Sequence, residues 1–121
     1  MNRKKVKLLE AFRDIKLSKE ELLEKLNVKS LNDVKQVVII ASVDVIKLLE
    51  SFKAGGISET ELLEWVNTIW FSDTYDYVDE EMDSIASVMN KLEEIDEGRE
   101  LDEASIDLFI KSLKANEEIE L

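Results

Sequence analysis

Cysteine, histidine and proline do not occur in this chain of 121 residues, and glycine occurs only at Gly55, Gly56 and Gly98. Without Cys and His there is no thiolate nucleophile, no zinc site of the usual ligands, no Ser-His-Asp triad and no imidazole acid/base pair. No Gly-rich phosphate loop can be assembled from three scattered glycines. Lacking proline and nearly lacking glycine, the chain has little that interrupts helices, whereas a multi-strand fold needs more turn residues. The expected fold is therefore all-α, and the expected activity is binding rather than catalysis.

Long apolar runs are missing too. The longest, Val37 to Ala41, is far too short to cross a bilayer. After the opening Met-Asn-Arg-Lys-Lys, the apolar residues are broken by Lys7, Glu10, Arg13 and Asp14, which leaves no signal-peptide core. A cytoplasmic protein without a membrane partner is expected. Carboxylates are plentiful, but catalytic acids need a pocket and a raised pKa that spacing alone does not show, so neither an enzyme nor a cofactor is inferred from them.

Charge is what the chain has in excess. Residues 1–56 carry 12 Lys/Arg against 8 Asp/Glu, whereas residues 57–121 carry 4 against 20, giving nets of +4 and −16 within the total of −12. Self-repulsion in the acidic half opposes folding, and a basic partner would relieve it while associating faster through electrostatic steering. Direct nucleic-acid binding is disfavoured, because this half repels phosphates. The basic run Arg3, Lys4, Lys5 and Lys7 reads as the solvated face of a helix start.

A hydrophobic content of 45% is enough for one core, so residues 1–121 are expected to form a single helical domain. Residues 7–27, KLLEAFRDIKLSKEELLEKLN, align without gaps to residues 47–67, KLLESFKAGGISETELLEWVN. These are two helix–turn–helix units. Ser18 with Glu21 and Ser58 with Glu61 fit the capping box, and Leu17 and Ile57 can staple onto Leu22 and Leu62. A third helix start is predicted at Asp102, with Ser105 in place of the Glu. Gly55 and Gly56 suit a left-handed helix end after Lys53, as Gly98 does for the helix before Asp102.

Helical stripes complete the pattern: Leu62, Trp65, Val66, Ile69 and Trp70; Val78, Met82, Ile85, Met89 and Leu92; Ile106, Phe109, Ile110 and Leu113. A compact bundle of five or six helices follows. The β-branched run Val37 to Ile40 fits either a buried helix or a strand. With no partner strand in view, a helix is favoured, broken near Ser42 as the cap of the next helix.

The densest acidic segment is Asp73, Asp76, Asp79, Glu80, Glu81 and Asp83, interleaved with Tyr75 and Tyr77. Part of this is a loop and first helical turn, where acids favour the dipole. It also has the composition of a binding epitope, with Tyr as anchors and carboxylates for steering. The candidate partner-binding set is Asp73, Tyr75, Asp76, Tyr77, Asp79, Glu80 and Asp83. Calcium is not expected, because the acid spacing and the missing central glycine do not fit an EF-hand, and no other metal site is inferred. Trp65 and Trp70 are five apart and cannot point the same way; one is expected beside Phe71 and Tyr75 at the edge of this segment.

The stretch DVIKLLESFKAGGISETELLEWVNTIW, with the acidic tyrosine-bearing segment and helix pair after it, resembles the small helical immunity proteins of bacterial toxin systems. These include the colicin-like immunity family and the immunity proteins of contact-dependent growth inhibition. The likeness spans residues 42–115 and is carried by Leu48, Leu49, Phe52, Ile57, Ser58, Leu62 and Trp65. It implies a bacterial protein that binds a cognate toxin domain, commonly a nuclease, and blocks it stoichiometrically. An acidic face meeting a basic toxin domain agrees with the charge argument. Two alternatives stand beside it: an acidic DNA mimic that inhibits a DNA-binding protein, and a helical-repeat interaction scaffold.

Overall fold

The computed structural model of the protein describes residues 3–34, 37–96 and 101–118. Among these are six α-helices and two short strands: α1 (Arg3–Arg13), α2 (Lys19–Leu26), β1 (Val38–Ile40), α3 (Ser42–Lys53), α4 (Glu59–Trp70), β2 (Tyr75–Tyr77), α5 (Met82–Asp96) and α6 (Glu103–Ala115). Single 3-10 turns lie at Leu31–Asp33 and Asp79–Glu81. The helical bundle expected from composition and periodicity is therefore the observed architecture.

The two repeat units fold alike down to single hydrogen bonds. At the end of α1, Asp14, Ile15 and Lys16 donate their N–H groups to the carbonyls of Glu10, Phe12 and Ala11 at 2.9, 3.0 and 2.8 Å. At the end of α3, Ala54, Gly55 and Gly56 donate to Glu50, Phe52 and Ser51 at 3.0, 3.0 and 2.8 Å. The pivot is left-handed in both, with φ +65° at Ile15 and +81° at Gly55. Glycine takes that conformation freely, whereas in Ile15 a β-branched side chain is held there against a local cost of about 1–2 kcal/mol.

Both turns deliver the chain to a complete capping box. Ser18 Oγ accepts from Glu21 N at 3.1 Å while Glu21 Oε1 accepts from Ser18 N at 3.2 Å. Ser58 and Glu61 do the same at 3.1 and 3.0 Å. The third start is also as expected: Asp102 Oδ1 accepts from Ser105 N at 2.7 Å. That bond from the backbone amide holds the Asp102 carboxyl below its ordinary pKa. The expected left-handed cap at Gly98 lies outside the described residues.

One buried cluster draws on all six helices and both strands. Leu9, Leu22, Leu48, Leu49, Leu62, Ile69, Ile85, Met89 and Leu92 are fully enclosed. Truncating any one leucine to alanine is expected to cost about 2–5 kcal/mol. Trp65 lies in this core, and its indole N–H donates to Arg13 O at 3.1 Å, fastening the second unit to the turn of the first.

In the run Val37 to Ile40, Val38–Ile40 is a strand rather than the favoured helix. Its partner is the tyrosine-bearing segment, which a search for apolar runs does not register as a strand. The pairing is parallel, Val38 opposite Tyr75, Ile39 opposite Asp76 and Ile40 opposite Tyr77. Parallel neighbours need a long crossover, and the whole α3–α4 unit supplies it. Ser42 is not the cap of α3 but its first residue. Ala41 precedes the helix, and its N–H is taken by Asp44 Oδ2 at 2.8 Å. The Ser42 hydroxyl is buried without a hydrogen-bond partner.

Candidate functional site

The acidic segment is fixed at the joint where the strand pair meets α3 and α5. β1 and β2 alternate in burial, so Val38, Ile40 and Tyr75 face the core while Ile39 and Asp76 face solvent side by side. Tyr75 is 3% exposed, and its hydroxyl donates to Leu9 O at 2.8 Å. Tyr77 is half-buried, packs edge-on against Trp70 at 5.5 Å between ring centroids, and donates to Ile69 O at 3.3 Å. Burial pushes both phenols well above their ordinary pKa, with Asp76 adding to the effect at Tyr77.

These positions revise the expected anchors. Tyr75 is a core residue that pins β2 to α1, so it presents nothing to a partner. Tyr77 serves mainly to hold the strand against α4. The reason is β-sheet alternation: two tyrosines two residues apart share one face of a strand, and here that face is turned inward. The intervening Asp76 is the residue turned outward.

The acids of the set are exposed, as a steering surface requires: Asp73 ahead of β2, Asp76 on the strand, Asp79 and Glu80 in the 3-10 turn, and Asp83 in the first turn of α5. The turn runs directly into α5, so Asp79 and Asp83 fall on one side of a continuous helical stretch. Glu81 is the exception in the segment, for it turns inward and its Oε1 accepts from Ser42 N at 3.0 Å, at the positive end of α3. Glu80 O accepts from Asn116 Nδ2 at 2.9 Å, which ties the segment to the end of α6. The carboxylates are thus mounted on backbone held from α3 and α6.

Both edges of the strand pair are blunted. Val38 N donates to Thr74 O at 2.9 Å and Val78 N to Ile40 O at 3.1 Å, so the Ile39 carbonyl points to the other edge. Arg13 Nη1 caps it at 3.2 Å. The same guanidinium lies 3.0 Å from Asp14 and 3.5 Å from Asp44, carboxylates that raise its pKa further, with the Asp14 hydrogen bond foremost. On β2, Asp76 Oδ1 accepts from the neighbouring Tyr77 N at 2.8 Å. These pairings oppose strand addition and favour recognition by side chains.

What charge reading alone missed is apolar. Val37, Ile39 and Val43 are 57%, 48% and 51% exposed, within seven residues of one another and beside the acidic segment. The signal was present as the β-branched run, but its exposure depended on knowing that the run is a strand with one solvent face. Phe71, 62% exposed, borders a separate cleft of about 250 Å³ lined also by Lys19, Lys29, Asn67 and Thr68. The cleft lies at the carbonyl end of α4, where lysines complement the dipole.

Among the described residues no three carboxylates converge in a way that could hold a metal ion, and no helix is long and apolar enough to cross a membrane. No protein-family model, curated protein or solved structure matches the chain.

Proposed function

We propose that this protein is a stoichiometric inhibitor of the immunity type, which binds a basic bacterial toxin domain, a nuclease being the natural candidate, through its acidic segment. The observation that carries the reading is the five exposed carboxylates of Asp73, Asp76, Asp79, Glu80 and Asp83, presented on backbone pinned by Tyr75, Glu81 and Asn116. A rigid mount means that little conformational entropy is lost on docking, and a field of one sign raises the encounter rate. The net of −16 over residues 57–121 supplies that field.

The helical-repeat scaffold is less well supported. A solenoid is a run of stacked repeats, whereas this chain repeats only residues 7–27 and 47–67, and a parallel strand pair joins the segments on either side of the second unit. The test is co-expression with the toxin domain encoded beside this chain's own reading frame. Rescue of growth, with a one-to-one complex on purification, is the expected result. Undiminished toxicity alongside abundant folded protein would refute the proposal.

A further inference from the structure

Charge accounts for attraction, but interfaces are held at their centres by desolvated apolar contacts, with charged residues at the rim. Three of the five large hydrophobic residues exposed among the described residues are Val37, Ile39 and Val43. Alternation along β1 places Ile39 on the solvent face, Val37 just before the strand is exposed as well, and register sets Asp76 next to Ile39. Val43 follows Ser42, whose N–H holds Glu81, so Val43 adjoins the turn that carries Asp79 and Glu80. Nothing in the chain's charge requires an apolar strip here; a purely structural strand of this kind would be better served by Thr or Lys on its wet face.

Resting on the docking role proposed above, we infer that the solvent face of the strand pair at Ile39, with Val37 just before β1 and Val43 in the first turn of α3, is the centre of the partner site. It receives an aliphatic side chain that the partner flanks with lysine or arginine. Charge complementarity selects this occupant: an apolar strip bordered by Asp76, Asp79 and Glu80 matches a partner knob bordered by cations. A second copy of this chain would bring like acids against each other, which disfavours self-association through the same face.

The test uses the full chain and two probe peptides, Lys-Lys-Leu-Lys-Lys and Lys-Lys-Ser-Lys-Lys, titrated while backbone amide shifts are followed. The leucine peptide is expected to bind about fivefold or more tightly, as burial of part of one leucine side chain predicts. Its shifts should centre on Ile39, Val43 and Asp76. Ile39→Thr, which keeps a β-branched residue in the strand, should erase the difference between the peptides, while Asp76→Asn should weaken both. Equal affinity of the two peptides, or shifts centred elsewhere, would overturn the apolar centre and leave the acidic docking role standing. If neither peptide produced a saturable shift, both the apolar centre and that role would be overturned.

Discussion

The chain has two tyrosines, Tyr75 and Tyr77, and both phenols point inward, so alkaline titration reads the strand pair directly. Each has its folded pKa raised from an ordinary value of 10.0 by burial. A group that keeps its proton in the folded state but loses it on unfolding contributes fully below the unfolded pKa. That contribution is lost as pH rises toward the folded pKa. At about pH 11, one unit above the unfolded value, the loss is about 1.4 kcal/mol for Tyr75. Tyr77 is only half-buried and loses less, so the pair together should lose about 2 kcal/mol. Urea unfolding at about pH 8 and about pH 11 measures this, and the Tyr75→Phe/Tyr77→Phe variant isolates the tyrosine share from lysine deprotonation. In the native protein, tyrosinate absorbance should stay flat past pH 10 and then rise together with the loss of helical circular dichroism. A rise near pH 10 with the helices intact would refute the inward placement and the pairing that causes it.

Further outcomes follow from the turns and the edge. Gly55→Ala meets no atom within 4 Å, so its cost is purely that of a side chain at φ +81°, about 1–2 kcal/mol by urea unfolding. Gly56→Ala brings a Cβ to 2.9 Å from Ser51 Oγ; Ser51→Ala in the same chain should recover most of the loss, since Ala11 and Lys16 occupy these two positions in the first repeat. Arg13→Ala leaves the buried Asp44 without its cation and the Ile39 carbonyl unpaired. It should lower stability by about 1–3 kcal/mol and raise the tendency to aggregate, read by unfolding and light scattering.

The helices were legible because each begins and ends on chemistry local in sequence. Ser18, Ser58 and Asp102 each cap the amide three residues ahead, and apolar spacing then fixes the buried face. The strand pair was not legible, because β1 and β2 are separated by an entire helix–turn–helix unit and each is only three residues long. Nothing near Val38 indicates that Tyr75 will lie opposite it. That one missing long-range fact had two consequences at the site. It hid the inward turn of the tyrosines, and it hid the outward turn of Ile39. The acids needed no such knowledge, since a carboxylate without a partner goes to the surface whatever the fold; Glu81, drawn to the first amides of α3, is the exception.

Electrostatic capture of a basic partner is the central functional proposal, and its most direct test is the association rate with the toxin domain proposed as that partner, as a function of ionic strength. For the native chain the rate should fall steeply as salt is added. Asp76→Asn, Asp79→Asn and Asp83→Asn combined should lower the low-salt rate by about tenfold and flatten the salt dependence, with much less change in dissociation. An association rate at low salt equal to that of the native chain would contradict the placement of the docking site on this segment.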